Sequence, residues 1–178
     1  MRGYFGIDPG TTGAAVFLLD DDQFVVHDWK NTREAIEFIQ TCRCQYDAAG
    51  AAIEAKKAPI VRFKRRNTKG QEVDAIMGHK GTWLLSQSIG LWWGMLEMAG
   101  VKTQLVDPRT WQSAFGFLKR RSSKMKIDTK AVAMEFCRKR IPGACEIVYR
   151  KKDNHRADAL LVAWWYRNQC RTQLKFKE

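Results

Sequence analysis

Three acidic residues and one histidine stand where their side chains could bind a metal ion. Asp8 follows an apolar run and enters a Pro-Gly-Thr-Thr-Gly turn, and Glu54 ends the small-residue run AAGAAIE. His155 and Asp158 are three residues apart, which places them on one face of a helix. Carboxylate oxygens suit Mg²⁺ or Mn²⁺, and two such ions about 4 Å apart can activate a water and stabilise the leaving oxygen of a phosphodiester. The pattern therefore predicts a metal-dependent site for phosphodiester hydrolysis.

Each acid also has a simpler interpretation. Asp8 could form a turn, and Asp158 could interact favourably with a helix dipole. Glu54 could be a surface acid that pairs with Lys56 and Lys57. Asp158, however, interrupts an apolar stripe, where an unpaired carboxylate would be costly. Because three acids at two strand ends and one helix start are not easily accidental, a shared cation is the favoured interpretation.

The surrounding sequence predicts elements in an order that would bring these residues together. The predicted strands cover residues 3–8, 13–19, 23–29, 48–54 and 101–106. The first predicted helix is capped by Thr32, and four further helices cover about 75–99, 108–115, 129–140 and 155–169. This order is typical of an α/β fold with a mixed central sheet of about five strands, flanked by helices on both faces. A crossover helix between the first and fourth strands makes these strands parallel, so Asp8 and Glu54 should emerge at one edge of the sheet.

The length and charge of the chain restrict its class. The 178 residues fit a single domain, 1–178, and 45% apolar residues are enough for a self-sufficient core. The net charge of +12, from 31 Lys and Arg against 19 acids, favours a polyanionic partner such as nucleic acid or an anionic membrane surface. Since the sequence has no run of 18 apolar residues and no signal-peptide pattern, we expect a soluble, cytoplasmic protein without a membrane partner.

Four motifs resemble those of a known nuclease family. GIDPGTTG, the glutamate in AIEAKKAP, VDPRTWQ and HRADALLVAWW are similar, in this order along nearly the whole chain, to motifs of the RuvC family of Holliday junction resolvases, which are RNase H-like nucleases. The resemblance implies an RNase H-like fold and a homodimeric endonuclease that nicks two opposed strands of a four-way DNA junction, with forks and flaps as further branched substrates. It also implies two Mg²⁺ ions per active site, with Mn²⁺ as a substitute, and no nucleotide cofactor. The catalytic and metal-binding residues carried over are Asp8, Glu54, His155 and Asp158.

Some positions depart from the family pattern. Family members carry either aspartate or histidine at the position of His155, where a neutral imidazole can bind a metal or orient a water. The family's lysine after the proline that follows the fifth strand appears here as Gln112, with Arg109 nearby. The lysine that opens the next helix is either Lys130 or Lys126. The basic loop after the fourth strand is longer than expected for a cellular resolvase, which, with the compact chain, is typical of a phage or prophage version.

Basic segments supply the predicted DNA-binding residues. Residues 56–69 contain seven basic residues and no acid, and they begin two residues after Glu54. Phe63 lies among them, where its ring could stack on an unpaired base while basic side chains pair with phosphates. The predicted DNA-binding set is Lys56, Lys57, Arg62, Phe63, Lys64, Arg65, Arg66, Arg109, Lys119, Arg120, Arg121, Lys124, Lys126 and Lys130.

The apolar segment 81–98 predicts a helix that is buried on all sides. Gly90 and Gly94 each cost about 1 kcal/mol relative to alanine in a helix, so their presence suggests a close backbone approach. Trp92 and Trp93 point about 100° apart, so one side of the helix can face the sheet and the other a second subunit. We therefore predict that Gly90, Trp92, Trp93 and Gly94 lie in a homodimer interface.

Two other functions remain open at this point. GIDPGTTG also resembles the phosphate-binding turn of actin-like and heat-shock-chaperone ATPases, so the chain could be a single ATP-binding lobe. Those enzymes carry a second Asp-x-Gly turn in their other lobe, and this chain has none. The third interpretation is a non-catalytic module that binds branched DNA, which would not need Mg²⁺.

Overall fold

The structure is a computed structural model that describes residues 1–55, 62–66, 68, 70–76, 79–118 and 128–175. For residues 62–66, 73–76, 79 and 174–175 it describes the backbone alone. Seven of the predicted DNA-binding residues lie outside the described residues: Lys56, Lys57, Lys119, Arg120, Arg121, Lys124 and Lys126.

A five-stranded mixed sheet forms the centre of the fold. The strands in chain order are β1 (Arg2–Asp8), β2 (Ala14–Leu19), β3 (Phe24–Asp28), β4 (Asp47–Glu54), β5 (Arg62–Arg66), β6 (Glu72–Ile76) and β7 (Thr103–Val106). The central sheet has the order β3-β2-β1-β4-β7, and β5 and β6 form a separate antiparallel pair. β1–β2 and β2–β3 are antiparallel, whereas β1–β4 and β4–β7 are parallel. The predicted mixed sheet of about five strands is confirmed.

Helices cover both faces of this sheet. They are α1 (Thr32–Gln45), α2 (His79–Met98), α3 (Pro108–Ala114), α4 (Thr129–Arg140), α5 (Ala144–Ile147) and α6 (Asn154–Lys175), with a 3₁₀ turn at Lys151–Asp153 before α6. Strand residues point alternately to the two faces, as Tyr4 and Phe5 illustrate: Tyr4 packs in a core with residues of α4 and α6, and Phe5 in a core with residues of α1 and α2. Both faces of the sheet are therefore buried, as predicted.

Three sequence-based boundaries need correction. The N-cap of α1 is Asn31, whose side chain accepts a hydrogen bond from the Glu34 backbone N–H, so Thr32 is the first helical residue and not the cap. The basic segment predicted as a loop contains β5, and the residues predicted to begin the long helix belong to β6. The long helix begins only at His79. Apolar periodicity misled the prediction there, because a short strand next to a helix adds apolar residues to the same run.

None of the helices in the described part of the chain is long and apolar enough to cross a membrane.

Candidate active site

Asp8 and Glu54 lie next to each other at the carboxyl edge of the sheet. In the parallel pair of β1 and β4, Ile7 is opposite Ile53, and each acid is the next residue after one member of this pair. Ile7 and Ile53 point into the core beneath α1 and α2. Because successive strand residues point to opposite faces, the two acids project toward the face that α6 covers. The prediction that both emerge at one edge is confirmed.

Helix α6 can lie close to β1 because Gly6 has no side chain. A Cβ atom at Gly6 would overlap the backbone oxygen of Ala159 and the backbone nitrogen of Ala163. Ala157, Ala159 and Ala163 on α6 are themselves fully buried. This contact of helix backbone with strand backbone brings the first turns of α6, with His155 and Asp158, to the end of β1.

Ion pairs fix the start of α6 against the sheet. The Arg156 guanidinium donates to both carboxylate oxygens of Asp28 on β3, with Nε 2.7 Å from Oδ1. Before the helix, the buried Asp153 carboxylate accepts from the backbone N–H of Arg150 at 2.8 Å and from its guanidinium. Hydrogen bonds to a carboxylate that is shielded from water are stronger than those on an open surface. His155 is therefore held in place by a bonded residue before it in the sequence, Asp153, and by one after it, Arg156.

The imidazole of His155 has a partner at each ring nitrogen. Its Nδ1 lies 2.6 Å from Asp8 Oδ2, and its Nε2 lies 3.2 Å from Thr12 Oγ1. The hydrogen bond with the Asp8 carboxylate raises the pKa of His155, against the effect of burial. A hydroxyl can donate or accept, so Thr12 can partner Nε2 in either protonation state of the ring.

Asp158 lies close to the other two acids and is largely removed from water. The pKa of Asp158 is raised to about 8. Burial is the largest cause, and the charges of Asp8 and Glu54 act in the same direction. The charges of Lys130 and His155 act in the opposite direction. Carboxyl groups from β1, β4 and α6 therefore crowd one small region, where a bound cation would offset their repulsion.

Glu54 is held by a helix that begins just beyond β7. Glu54 pairs with Val106 in the parallel β4–β7 ladder, and α3 starts two residues after Val106. From α3, the indole Nε1–H of Trp111 donates to Glu54 Oε2 at 2.9 Å. The Asp107 side chain caps α3 and Pro108 occupies its first position, where proline favours helix initiation.

The turn that follows Asp8 is fixed by hydrogen bonds within the protein. The Gly13 N–H donates to the Gly10 carbonyl at 3.2 Å, and the Gly10 N–H donates to Oγ of the buried Ser88 on α2 at 3.0 Å. A Cβ atom at Gly13 would overlap the Asp8 carbonyl oxygen, so the turn requires glycine at this position. At least one amide of this turn therefore points at the protein instead of at a ligand.

The chemistry of the donor set suits a hard divalent cation. Among the described residues, no group of three or more His, Cys, Asp and Glu side chains is arranged to hold a metal ion. Asp8 is instead bonded to His155 and Glu54 to Trp111. Mg²⁺ in nucleotide and nucleic-acid enzymes usually takes one or two carboxylates and completes its shell with waters and phosphate oxygens. An open group of carboxylates with an imidazole fits this requirement better than a closed cage would.

Few of the predicted DNA-binding side chains are described. Arg109 on α3 and Lys130 on α4 are exposed, and the Lys130 charge lowers the pKa of both His155 and Asp158. The charge of Lys130 therefore acts on the candidate site, and its role in DNA binding stays a prediction. The residues Arg62, Phe63, Lys64, Arg65 and Arg66 form β5, and the structure describes only their backbone.

The predicted dimer residues on α2 divide into two groups. Trp93 is 37% exposed, and Gly90 and Gly94 are exposed with open space where a Cβ atom would lie. Trp92, in contrast, is fully buried against Trp29 in the core of the same chain. It has no surface left for a partner, so its assignment to a dimer interface is wrong. The helix is also not buried on all sides, since Trp83 is 62% exposed.

The sheet order, the parallel β1–β4–β7 arrangement and the site at its carboxyl edge define an RNase H-like fold. The chain is similar to two solved structures of RuvC from Thermus thermophilus. The first, in complex with a Holliday junction substrate, superimposes with a TM-score of 0.59 at 15% identity over 97% of each chain. The second superimposes with a TM-score of 0.52 at 16% identity over 96% of each chain. No family model and no curated protein matches the sequence.

Sequence reasoning missed the residues that support the four site residues. Gly6 carries a usable signal, because a glycine in a strand interior is typical of a close backbone approach. Trp111 lies in the motif VDPRTWQ, but the motif alone does not predict its contact with Glu54. Thr12 and Ser88 carried no local signal, because their partners lie 143 and 78 residues away in the sequence.

Proposed function

We propose that this protein is a metal-dependent endonuclease that cuts four-way and other branched DNA junctions. The observation that carries the proposal is the convergence of Asp8, Glu54 and Asp158, from two strands and a helix, at the carboxyl edge of an RNase H-like sheet. His155 adds an imidazole to this group at 2.6 Å from Asp8. The likeness to RuvC structures, one of them bound to a Holliday junction, supports branched DNA as the substrate.

The roles of the four residues follow from their chemistry. Asp8, Glu54 and Asp158 would hold Mg²⁺, or Mn²⁺ in its place, with two ions per site. When bound, these ions supply an activated water and neutralise charge on the leaving oxygen. His155 either joins the ligands or orients the water, and Thr12 and Asp8 hold its ring in place. Lys130 contributes positive charge beside the carboxylates, where a phosphate would lie.

A groove next to the site supports binding of a DNA strand. It lies between α4 and the 3₁₀ turn and has a volume of about 890 Å³. Its lining has more basic than acidic residues, with Lys130, Arg138, Lys139 and Lys151 against Asp128 and Glu135. Asn154 also lines a second cleft of about 430 Å³, which includes His155, Thr12 and Lys152. Because Asn154 belongs to both linings and directly precedes His155, both clefts adjoin the start of α6 and with it the candidate site.

We also propose a homodimer, because paired nicks require two sites related by symmetry. The exposed side of α2 carries Trp83, Gly90, Trp93 and Gly94, and exposed aromatic residues beside glycines suit a close contact between two helices. This surface is separate from the candidate site.

The nucleotide-binding alternative has less support. In an ATP-binding turn, backbone amides and hydroxyls face the phosphates. Here the Gly10 amide donates to Ser88 and the Thr12 hydroxyl is bonded to His155. A module that binds branched DNA without cutting it has no use for three crowded carboxyl groups, whose repulsion costs stability.

A synthetic four-way junction tests the proposal. The purified protein is incubated with the junction in Mg²⁺, in Mn²⁺ and in EDTA, and nicks are mapped on all four strands. We expect symmetric nicks on two opposed strands in either metal and none in EDTA. Binding without any nick in both metals would favour the non-catalytic module, and ATP hydrolysis without DNA binding would favour the ATPase.

A further inference from the structure

The indole of Trp111 donates a hydrogen bond to Glu54 from outside the acidic cluster. Its Nε1 lies 2.9 Å from Glu54 Oε2, across a sequence separation of 57 residues. Glu54 ends β4, and Trp111 stands on α3, directly after the neighbouring strand β7. The contact therefore joins two adjacent strand ends above the sheet, within the candidate site.

The Trp111 ring has little freedom to move. It is fully buried, and its edge contacts Phe115 and Phe117 at centroid distances of 6.4 and 6.3 Å. These two rings stack on each other and pack against Phe136 of α4. The indole N–H is therefore a fixed donor that points at Glu54 from a rigid aromatic cluster.

An indole N–H acts in one direction only. It can donate but never accept, so it pairs with a carboxylate oxygen and favours the ionised form of the acid. A glutamate has three side-chain torsions, and a hydrogen bond to its carboxylate from a fixed donor narrows the range of orientations that it samples. Carboxylates that bind metals are commonly oriented by a neighbouring donor, and loss of that donor typically lowers metal affinity about 10–100-fold.

We propose that Trp111 is a positioning residue of the site, whose indole N–H holds the Glu54 carboxylate in one orientation for cation binding. This inference rests on the proposed function, because it takes the cation to be the metal that the nuclease uses to cut DNA. The binding of the cation itself can be measured without any DNA.

The chain offers a matched control in Trp92. Trp92 is also fully buried, and its Nε1 has no hydrogen-bond partner among the described residues. Trp111→Phe and Trp92→Phe therefore remove the same atoms from two buried sites, but only the first removes a hydrogen bond to a site residue.

The experiment measures Mn²⁺ binding to the DNA-free protein by calorimetry and the Mg²⁺ dependence of junction nicking. For Trp111→Phe we expect Mn²⁺ affinity to fall about 10-fold or more and the Mg²⁺ concentration for half-maximal nicking to rise by a similar factor. Trp92→Phe should bind Mn²⁺ like the wild type. Equal Mn²⁺ affinity of both variants, or no Mn²⁺ binding by the wild type, would overturn the inference. Mn²⁺ binding that depends on Trp111, without nicking of any junction, would contradict the proposed function alone.

A measurement on the wild-type fold covers the case in which Trp111→Phe does not fold. The indole N–H resonances are assigned by NMR, and Mg²⁺ is added. We expect the Trp111 resonance to shift with Mg²⁺ and with Glu54→Gln, while the Trp92 resonance stays in place. A Trp111 resonance that responds to neither change would also overturn the inference.

Discussion

Gly6 on β1 lies in direct contact with the backbone of Ala163 on α6, with no room for a single additional carbon atom between them. This contact sets how close α6 comes to the sheet. It therefore also sets the distance between Asp8 at the end of β1 and the two site residues in the first turns of α6.

Gly6→Ala should destabilise the protein and damage the site together. The added methyl group overlaps backbone atoms of α6, and overpacking of this kind costs about 1–3 kcal/mol or more. For a chain of this size, each kcal/mol lowers the melting temperature by about 2–4 °C. Ala163→Gly should not rescue the variant, because the overlap is with backbone atoms and not with the alanine methyl. A Gly6→Ala protein that melts at the wild-type temperature would contradict the close contact.

Asp8→Asn and Glu54→Gln should each lower nicking by orders of magnitude while junction binding persists. The carboxamides keep the size of the side chains but lose the charge that would hold Mg²⁺. For His155→Ala we expect a smaller loss, with partial activity retained in His155→Asp. Nicking rates at saturating protein and gel-shift binding on the same junction separate the two effects. A near-normal rate for either carboxamide variant would show that the residue is not a ligand.

Asp158→Asn should abolish nicking yet raise the stability of the metal-free protein, and the gain should depend on pH. The pKa of Asp158 in the folded chain is about 8, above its ordinary value of 3.8. Between these values the folded chain binds more protons than the unfolded chain, so the contribution of this carboxyl to stability falls as pH rises from about 4 to about 8. The asparagine cannot ionise, so the variant should gain most at pH 8.

Melting curves in EDTA at pH 5 and pH 8 check this sign. We expect the melting temperature of Asp158→Asn to exceed that of the wild type by several degrees more at pH 8 than at pH 5. A difference that does not change with pH, or a variant that melts below the wild type at pH 8, would contradict the crowding of the three carboxyl groups.

Lys151→Ala should weaken DNA binding, whereas Lys102→Ala should not. Lys151 lines the groove beside the candidate site, and Lys102 precedes β7 at the opposite edge of the sheet. Each lost phosphate contact reduces the slope of log K against log salt by about 0.9 for duplex DNA. Binding of a four-way junction and of plain duplex, measured at several salt concentrations, tests both variants. Equal losses for the two lysines would mean that only net charge matters.

Gly94→Leu should weaken the proposed dimer without harming the monomer. A Cβ atom at this position would meet no atom of the described residues within 4 Å, so the leucine has room to leave the helix surface without a clash there. Sedimentation should give about twice 20.5 kDa for the wild type and a lower average mass for the variant. A wild-type monomer at micromolar concentration that still makes paired nicks would rule out this dimer.

The sequence predicted the four residues of the candidate site but not the residues that hold them in place. Asp8 and Glu54 could be placed together because β-strand order and crossover direction follow general rules, and His155 and Asp158 because helical spacing is fixed. Trp111 and Thr12 could not be placed, since their roles depend on contacts made only after the sheet and α6 are packed. For the same reason Trp92 and Trp93 could not be told apart: spacing gives the angle between them, but which of them faces the core depends on the rotation of the helix.

The sequence separation of 147 between Asp8 and His155 has a consequence for the time at which the candidate site is completed. Translation produces β1 first and α6 last among the described elements, and until α6 has left the ribosome the chain lacks two of its four site residues. The central strands also have an uncovered face until then, so α6 completes the fold and the chemistry in one step. Contacts this distant in sequence form slowly. A half-made or truncated chain therefore carries Asp8 and Glu54 without His155 and Asp158, so the candidate site is completed only when the fold is complete.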